Sequence, residues 1–462
     1  MRINGVSGLL KVHMSLLASL QTWLGDAAGR VLKREDAFVI AVTGSVGKST
    51  TKQAIGAVLQ SDVRENGIRV PKNSFNNELG VPLTVFGHPA PGRSVFAWGS
   101  LLMDAFRMRS GWIHSGVRTF VFEMGADKPG DLARLTKIAQ PDIAVVTALT
   151  NDDDSLMPVH VANYPSMDAL VEEKAHLVRA LKPGGVAILN ADDKKVFGMR
   201  HLTHERSMTF GEADGTDVRI VSSKIVTEPS PSGNVPIGLE VQLENYQHQY
   251  HAMIPGVFGR SAAYAYAAAV VVAEAMDISA EQIADFDKHF VPVNGRTRIL
   301  PGIKRTTLFD DSYNASPASV IQALKDLGSV EVVPGQRKIA CIGEMRELGP
   351  KSEEMHRRVG VEAAKAGIDV LVCCGIFGRV MADGAMANGM KPEQVHQIDD
   401  TPEAGLFIQE ILKPGDIVLA KASQGTLDTK GVRMERVIKE LMAEPTRAGE
   451  LLVRQETAWQ RK

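Results

Sequence analysis

The most constraining feature of this 462-residue sequence is a glycine-rich run with the order Thr43, Gly44, Ser45, Val46, Gly47, Lys48, Ser49, Thr50. The run follows a β-branched apolar stretch at residues 38–42 and precedes a helical pattern. Gly44 and Gly47 allow backbone N–H groups to close around an oxyanion, at the positive end of the helix that follows. Lys48 adds a full charge for the β- and γ-phosphates, and the Ser49 hydroxyl suits Mg²⁺. The run therefore predicts a nucleotide-phosphate loop between a strand and a helix.

Around this loop, short apolar runs alternate with helical patterns, which is typical of parallel βαβ units. The first set of predicted strands covers residues 38–42, 119–122, 143–147 and 185–189. Residues 205–255 alternate apolar and polar side chains around a Pro/Ser/Gly turn at 229–233, which predicts a small antiparallel insertion. A second set of strands is expected at 306–309, 338–342, 370–373 and 417–420. The predicted fold class is α/β: a P-loop mononucleotide-binding parallel sheet with a small β insertion, then a C-terminal Rossmann-like domain.

The same patterns predict the domain limits. We expect a helical segment at 1–36, a central ATP-binding domain at 37–293, a C-terminal domain at 294–445 and a polar tail at 446–462 that frays. The first segment has leucines at helical spacing, but polar residues interrupt the run, so it does not predict a transmembrane span. It fits a helix packed on its own protein, and it also fits a basic-rimmed helix that touches a membrane surface or a second chain.

Charge and cysteine content limit the function classes. The 52 basic and 54 acidic residues give a net charge of −2, so no global positive field favours nucleic acid. The sequence contains three cysteines without metal-ligand spacing, and no cleavable signal pattern is visible. We therefore expect a cytoplasmic protein whose anion binding is local.

A carboxylate is expected beside the phosphate loop. Glu123 follows the predicted strand at 119–122, and carboxyl ends of parallel strands meet at one edge of a sheet. Glu123 could therefore hold Mg²⁺, although a satisfied buried acid explains its position equally well. By themselves, His160 and Lys174 fit ordinary surface or core residues.

Seven blocks together resemble the Mur ligases, ATP-dependent amide-forming enzymes of peptidoglycan synthesis. They occur in the family's order at residues 43–50, 76–82 (NNELGVP), 123–126 (EMGA), 190–193 (NADD), 295–296 (GR), 310–315 (DDSYNA) and 343–349 (GEMRELG). The NNELGVP and DDSYNA blocks are most similar to the members that add D-alanyl-D-alanine.

The resemblance implies a reaction in which ATP phosphorylates a substrate carboxylate and an amine then displaces the phosphate. It implies ATP and Mg²⁺ as cofactors, with Glu123 and His160 as Mg²⁺ ligands and Lys174 as a carbamylated lysine whose added carboxylate helps hold a second Mg²⁺. Lys48, His160 and Lys174 would then be the catalytic residues. In the C-terminal domain it implies that Arg296, Asp311 and Asn314 face the nucleotide or the amine. Closure about a hinge at 293–296 is expected to assemble the site and exclude water.

The sequence departs from the family in three places. Only 42 residues precede Thr43, so we expect the N-terminal domain that recognises the UDP-sugar end to be absent. Residues 255–259 (PGVFG) replace a His-Asn segment beside the nucleotide, and Gln424 replaces an arginine. Three functions stay open. They are a D-alanyl-D-alanine-adding ligase acting on a muramoyl-peptide, a Mur-type ligase for another acid and amine, and a regulatory nucleotide-binding protein without ligase activity.

Overall fold

The phosphate-loop region is built on a nine-stranded sheet. The computed structural model describes residues 4–60, 67–71, 75–149, 156, 161–424, 432–456 and 459, with side chains from residue 18 onward. The strands of this sheet are β1 (Phe38–Thr43), β2 (Ile68–Arg69), β3 (Thr119–Glu123), β4 (Ile143–Val146), β5 (Val186–Asn190), β6 (Arg206–Gly211), β7 (Val218–Ser230), β8 (Gly233–Glu244) and β9 (Gln249–Pro255). Their order is β2-β3-β1-β4-β5-β6-β7-β8-β9, parallel as far as β7 and antiparallel from β7 to β9.

The predicted parallel strands are confirmed, each within one residue of its expected limits. The antiparallel strands predicted between 205 and 255 are also present, and the structure shows how they are attached. Because β7 pairs in parallel with the edge of β6, the hairpin strands extend the main sheet instead of forming a separate one.

Ten α-helices accompany this sheet within the described residues. They are α1 (Asn4–Arg34), α2 (Lys48–Gln60), α3 (Gly80–Phe86), α4 (Val95–Arg109), α5 (Asp131–Ile138), α6 (Met167–Arg179), α7 (Lys194–Gly198), α8 (Arg260–Ala275), α9 (Ala280–Ile283) and α10 (Phe286–His289). Helices α2 and α8 pack against each other on one face of the sheet. The alanines of α8 make this possible, since small side chains let two helices approach closely while the helix is buried nearly all round.

Helix α1 packs on the opposite face. Leu24, Ala27, Ala28 and Val31 are fully buried in the same apolar cluster as α3, α4 and α5. The last third of α1 therefore packs on its own protein, which was the first of the two expectations for this segment. None of the helices in the described part of the chain is long and apolar enough to cross a bilayer.

A six-stranded sheet forms the second half. Its strands are β10 (Arg298–Pro301), β11 (Thr307–Asp310), β12 (Lys338–Ile342), β13 (Val370–Cys373), β14 (Val395–Gln397) and β15 (Ile417–Lys421), in the order β10-β11-β15-β12-β13-β14. Its helices are α11 (Pro317–Ser329), α12 (Ser352–Lys365), α13 (Gly378–Met386), α14 (Thr401–Ile411), α15 (Met434–Leu441) and α16 (Ala448–Leu451). All pairings are parallel except the one between β10 and β11. The predicted Rossmann-like alternation is confirmed.

Two features of the second half differ from expectation or were not foreseen. The tail was predicted to fray, but its residues 446–456 are folded, because Leu451 and Leu452 insert into the core of the second sheet. The tip of the β7–β8 hairpin also docks on this half. Gln336 accepts a hydrogen bond from Asn234 N at 3.1 Å and donates to Asn234 O and Gly415 O, both at 2.7 Å. These bonds help fix the two sheets relative to each other.

The buried end of α1 gives a stability prediction. We expect Leu24→Ala to lower the free energy of unfolding by about 2–5 kcal/mol, since it removes a fully buried side chain and leaves a cavity. The exposed Arg30 of the same helix offers the control. We expect Arg30→Ala to change the free energy of unfolding by less than about 0.5 kcal/mol. Urea unfolding followed by circular dichroism measures both, and equal stability of the two variants would contradict the packing role of α1.

Candidate active site

The predicted phosphate loop lies between β1 and α2, and the end of β4 holds it. Gly44 and Gly47 have φ values of 144° and 86°, which disfavour any residue with a Cβ atom. A Cβ at Gly44 would overlap the Thr147 hydroxyl. That hydroxyl donates to Val46 O at 2.6 Å, and Ser45 N donates to Ala148 O at 2.7 Å. These hydrogen bonds hold the loop in place against the end of β4.

Two predicted metal-site residues meet at the start of α2. The Ser49 hydroxyl donates to Glu123 Oε2 at 2.7 Å, although 74 residues separate them along the chain. Glu123 is 2% exposed and also accepts a hydrogen bond of 3.4 Å from Asn76, a residue of the NNELGVP block. Lys48 is half-buried beside them and donates to Gly44 O at 2.9 Å. Burial lowers the pKa of Lys48, and the charge of Glu123 opposes that change.

These oxygens fit a hard divalent cation. Hydroxyl and carboxylate oxygens are the protein ligands that Mg²⁺ prefers, usually one or two of them together with phosphates. Ser49 and Glu123 supply such a pair at the phosphate end of the loop. In the described part of the chain, no three His, Cys, Asp or Glu side chains form a metal-binding group. His160, the other predicted ligand, lies outside the described residues.

Lys174 of α6 is buried close to the phosphate loop. Burial lowers the pKa of its amine to about 7, and the charge of nearby Lys48 contributes. Carboxylates of Asp127, Glu173 and Asp131 act in the opposite direction. Glu173 itself accepts hydrogen bonds from Gly130 N and Leu132 N, both at 2.7 Å, and so ties α6 to the start of α5. The structure thus brings Lys174 into the same region as Lys48, while its chemical role stays a prediction.

The second sheet supplies the opposite wall. Asp311 follows β11, and Lys421 ends the neighbouring strand β15. The Lys421 ammonium donates to Asp311 Oδ2 at 2.5 Å, and both side chains are buried. Lys421 also donates to Asn314 O at 3.0 Å. Burial lowers the pKa of Lys421, and the Asp311 carboxylate opposes the shift.

Asn314 has a structural contact that the sequence did not predict. Its side-chain oxygen accepts hydrogen bonds from Ala315 N at 2.9 Å and from Gln424 N at 3.2 Å. The amide therefore joins the DDSYNA loop to the turn after β15. A contact of Asn314 with ATP or the amine stays a prediction.

A cavity of about 250 Å³ joins the two walls. Predicted residues that line it are Ser45, Val46, Gly47, Lys48, Ser49, Thr50, Arg296 and Asp311. Lys421 lines it too. Sequence reasoning did not place Lys421 in the site, because its ion pair with Asp311 depends on how β11 and β15 pair.

One end of the cavity has a polar network that the sequence did not indicate as a whole. Tyr264 donates to Asp192 Oδ2 at 2.6 Å and receives a 2.8 Å hydrogen bond from Arg260. Arg260 also pairs with Glu212 at 2.6 Å. The replacement of the family's His-Asn segment at 255–259 had suggested that side-chain contacts to the nucleotide are missing on this side. The first turns of α8, directly after that segment, supply polar side chains instead, and only the NADD block that contains Asp192 signalled them.

Comparison with known proteins agrees with this architecture. The family model of the Mur ligase middle domain matches residues 42–273, half of the chain, and the model of the Mur ligase glutamate ligase domain matches residues 295–424. The chain belongs to the Mur ligase family. Mur ligases are ATP-dependent enzymes that form amide bonds, so this chain is a carboxylate-amine ligase that uses ATP.

Individual Mur ligases match nearly the whole chain. The UDP-N-acetylmuramoyl-tripeptide--D-alanyl-D-alanine ligase of Mycobacterium leprae is 30% identical, over 91% of this chain and 78% of that protein. The ligase of the same name from Bacillus subtilis is 25% identical, over 92% of this chain and 80% of its own length. In fold, the chain is similar to MurF of Thermotoga maritima, whose structure was solved with ADP. The TM-score is 0.70 at 22% identity, covering 93% of this chain and 84% of that one.

The loop geometry gives a prediction with an internal control. We expect Gly44→Ala to weaken ATP binding by about tenfold or more, because the new methyl group displaces the Thr147 hydroxyl that holds the loop. Gly99 lies in the exposed face of α4, where an added methyl group would meet no atom within 4 Å, so Gly99→Ala is expected to leave binding unchanged. Isothermal titration calorimetry with ATP compares the two, and unchanged affinity in Gly44→Ala would contradict the role of the loop.

Proposed function

We propose that this Mur ligase joins D-alanyl-D-alanine to the carboxyl group of a UDP-N-acetylmuramoyl-tripeptide at the expense of ATP. The relatives that match most of the chain have this activity in their names. The observation that carries the proposal is the cavity that the Lys48 loop shares with the Asp311–Lys421 pair. A two-step ligation needs a site for the phosphates of ATP next to a site where the acid and the amine react, and the two walls of this cavity suit these two tasks.

The first step activates the acid. A carboxylate is a poor electrophile because hydroxide leaves poorly, so one carboxylate oxygen forms a bond to the γ-phosphorus of ATP. The bond from that phosphorus to the β–γ bridging oxygen breaks, and ADP departs with the electron pair. Phosphoryl transfer needs mainly in-line positioning and charge neutralisation. The fixed loop with Lys48 serves the positioning and part of the neutralisation.

The second step forms the amide. The neutral amine attacks the acyl carbon, the carbon–oxygen bond to phosphate breaks, and inorganic phosphate leaves as the nitrogen loses a proton. Water would compete with the amine for the same carbon, which is why enclosure matters. Arg296, Asp311 and Lys421 line the same cavity as the loop, where they would limit access of water to the acyl carbon of a bound intermediate.

Ser49 and Glu123 are the residues that would hold Mg²⁺. The bound ion would supply further neutralisation of phosphate charge. Lys174 is suited to carbamylation, since a pKa of about 7 leaves a large neutral fraction of its amine near neutral pH. A neutral amine adds to CO₂ and loses a proton, which replaces a buried cation with an anion. His160 is proposed as a further ligand on the family resemblance alone.

We also propose that the enzyme works in the cytoplasm with small-molecule partners. The use of ATP supports this location, as do three free cysteines that are all buried and unbridged. The net charge of −2 argues against nucleic acid as a partner.

The reaction is tested by phosphate release with Mg-ATP, UDP-N-acetylmuramoyl-tripeptide and D-alanyl-D-alanine. We expect release that needs both acid and amine, with a product mass equal to their sum minus water. Lys48→Ala should reduce turnover by about 10³-fold because the transferring phosphate loses its cation. The exposed Lys137 of α5 offers the control, since Lys137→Ala should retain full activity. ATP binding without turnover of this pair would instead favour another acid and amine.

The Lys174 carbamate gives a pH prediction. The neutral amine predominates above pH 7, and its fraction falls about tenfold for each pH unit below that. Carbamylation and turnover should therefore also decrease as the pH is lowered. Added bicarbonate should restore part of the activity at a pH of about 6. Lys174→Ala should be inactive and regain turnover with acetate or propionate. The matched variant Lys174→Arg, which fills the space but cannot form this carbamate, should stay inactive. Full activity of Lys174→Ala without added acid would contradict the assignment.

A further inference from the structure

The end of the chain returns to the active-site loop. Residues 448–455, which we name the C-terminal strap, leave the core of the second sheet at Leu452 and pass beside the hinge and the DDSYNA loop. The sequence suggested a fraying tail here, but the described part of the strap makes specific contacts with both segments. The strap therefore contacts residues near the active site in addition to packing on the core of the second sheet.

The strap first binds the hinge region. Asn294 donates a 2.8 Å hydrogen bond to Glu450 O, and Arg298 donates one of 3.2 Å to Leu451 O. Gly295 lies between the strap and the loop. A Cβ atom there would stand 3.1 Å from Val453 Cγ1 and 3.1 Å from Tyr313 N. Gly295, a residue of the predicted hinge, is therefore packed directly between the strap and the loop that contains Asp311.

Arg454 then fixes the loop itself. Its guanidinium donates to the carbonyl oxygens of Ser312, at 3.3 Å, and Tyr313. It also pairs with Glu435 of α15 at 2.8 Å, and the two side chains are 5% and 3% exposed. A buried ion pair of this kind is held in one geometry, because breaking it would leave an uncompensated charge. Arg454 thus ties the loop to the core of the second sheet.

Tyr313 transmits this contact to the cavity. The Arg454 guanidinium lies 5.4 Å from the centre of the Tyr313 ring, and the Arg296 guanidinium lies 4.3 Å from it. Cations within about 6 Å of an aromatic ring centre are attracted to it. Arg296 lines the nucleotide cavity, and its charge acts on Lys48 of the phosphate loop. The strap therefore contacts Tyr313 through Arg454, and Tyr313 in turn contacts Arg296 in the cavity.

We propose that Arg454 is a positioning residue for the nucleotide. By fixing the backbone and ring of Tyr313, it holds Arg296 in place toward the phosphates in the cavity. The proposal rests on the nucleotide site of the proposed function. It adds that the C-terminal strap, acting through Tyr313, sets nucleotide affinity.

The test measures ADP binding by calorimetry on the full chain, together with the KM for ATP and kcat. We expect Arg454→Ala to weaken ADP binding and raise the KM for ATP by about tenfold. Arg447→Ala is the matched control, since this neighbouring arginine makes exposed ion pairs with Glu444 and Glu450. It should bind ADP like the wild type. A strap that only stabilises the fold would lower the active fraction and hence kcat, and would leave the KM unchanged.

A double-mutant cycle separates positioning from independent effects. Arg296→Ala should weaken ADP binding about as much as Arg454→Ala, and the double variant should lose little more than either one. If Arg454→Ala does not fold, Tyr313→Leu replaces it in the cycle, because it removes the ring and leaves the Arg454–Glu435 pair intact. Wild-type affinity in Arg454→Ala, or additive losses in the cycle, would overturn the proposal. Failure of the wild type to bind ADP would overturn the proposed nucleotide site together with it.

Discussion

The meeting of the carboxyl ends of β1, β3 and β4 is the constraint on which the active site depends. Parallel pairing places Val42 opposite Glu123 and Thr43 opposite Val146. All the segments that leave these strands must therefore start at one edge of the sheet. One of them becomes the glycine-rich loop, and another presents Glu123 to the first turn of α2. The pairing of backbones, not any attraction between side chains, brings these groups together.

Buried positive charge is the second constraint. Burial lowers the pKa of Lys48, Lys174 and Lys421, since removing an ammonium group from water disfavours its charged form. Lys421 is compensated by Asp311, and Lys48 is partly compensated by Glu123. Such a region favours the binding of a polyphosphate, because the phosphate oxygens supply negative charge that the protein side chains do not fully provide. Burial, with a further contribution from the charge of Lys48, lowers the pKa of Lys174 to about 7, so much of its amine is uncharged near neutral pH.

The sequence predicted the α/β fold and the limits of its central strands well, because strand runs there are continuous and apolar. It was less successful where the outcome depends on distant partners. Polar composition suggested fraying of the tail, yet Arg454 finds Glu435 and two carbonyls only in the folded protein. Likewise, Tyr264 in an alanine-rich stretch shows no functional signal until α8 places it against Asp192.

The sequence by itself determined the phosphate loop, since the order of Gly44, Gly47, Lys48 and Ser49 after a strand defines a local structure that needs few distant contacts. It also determined, by residue type, that a carboxylate stands at the carboxyl end of the strand that begins at residue 119. Only the tertiary structure decided that Glu123 contacts Ser49, that Lys421 pairs with Asp311, and that the end of the chain holds Tyr313. These contacts join residues 19 to 142 positions apart, and their formation depends on strand order and domain packing, which a linear pattern does not encode.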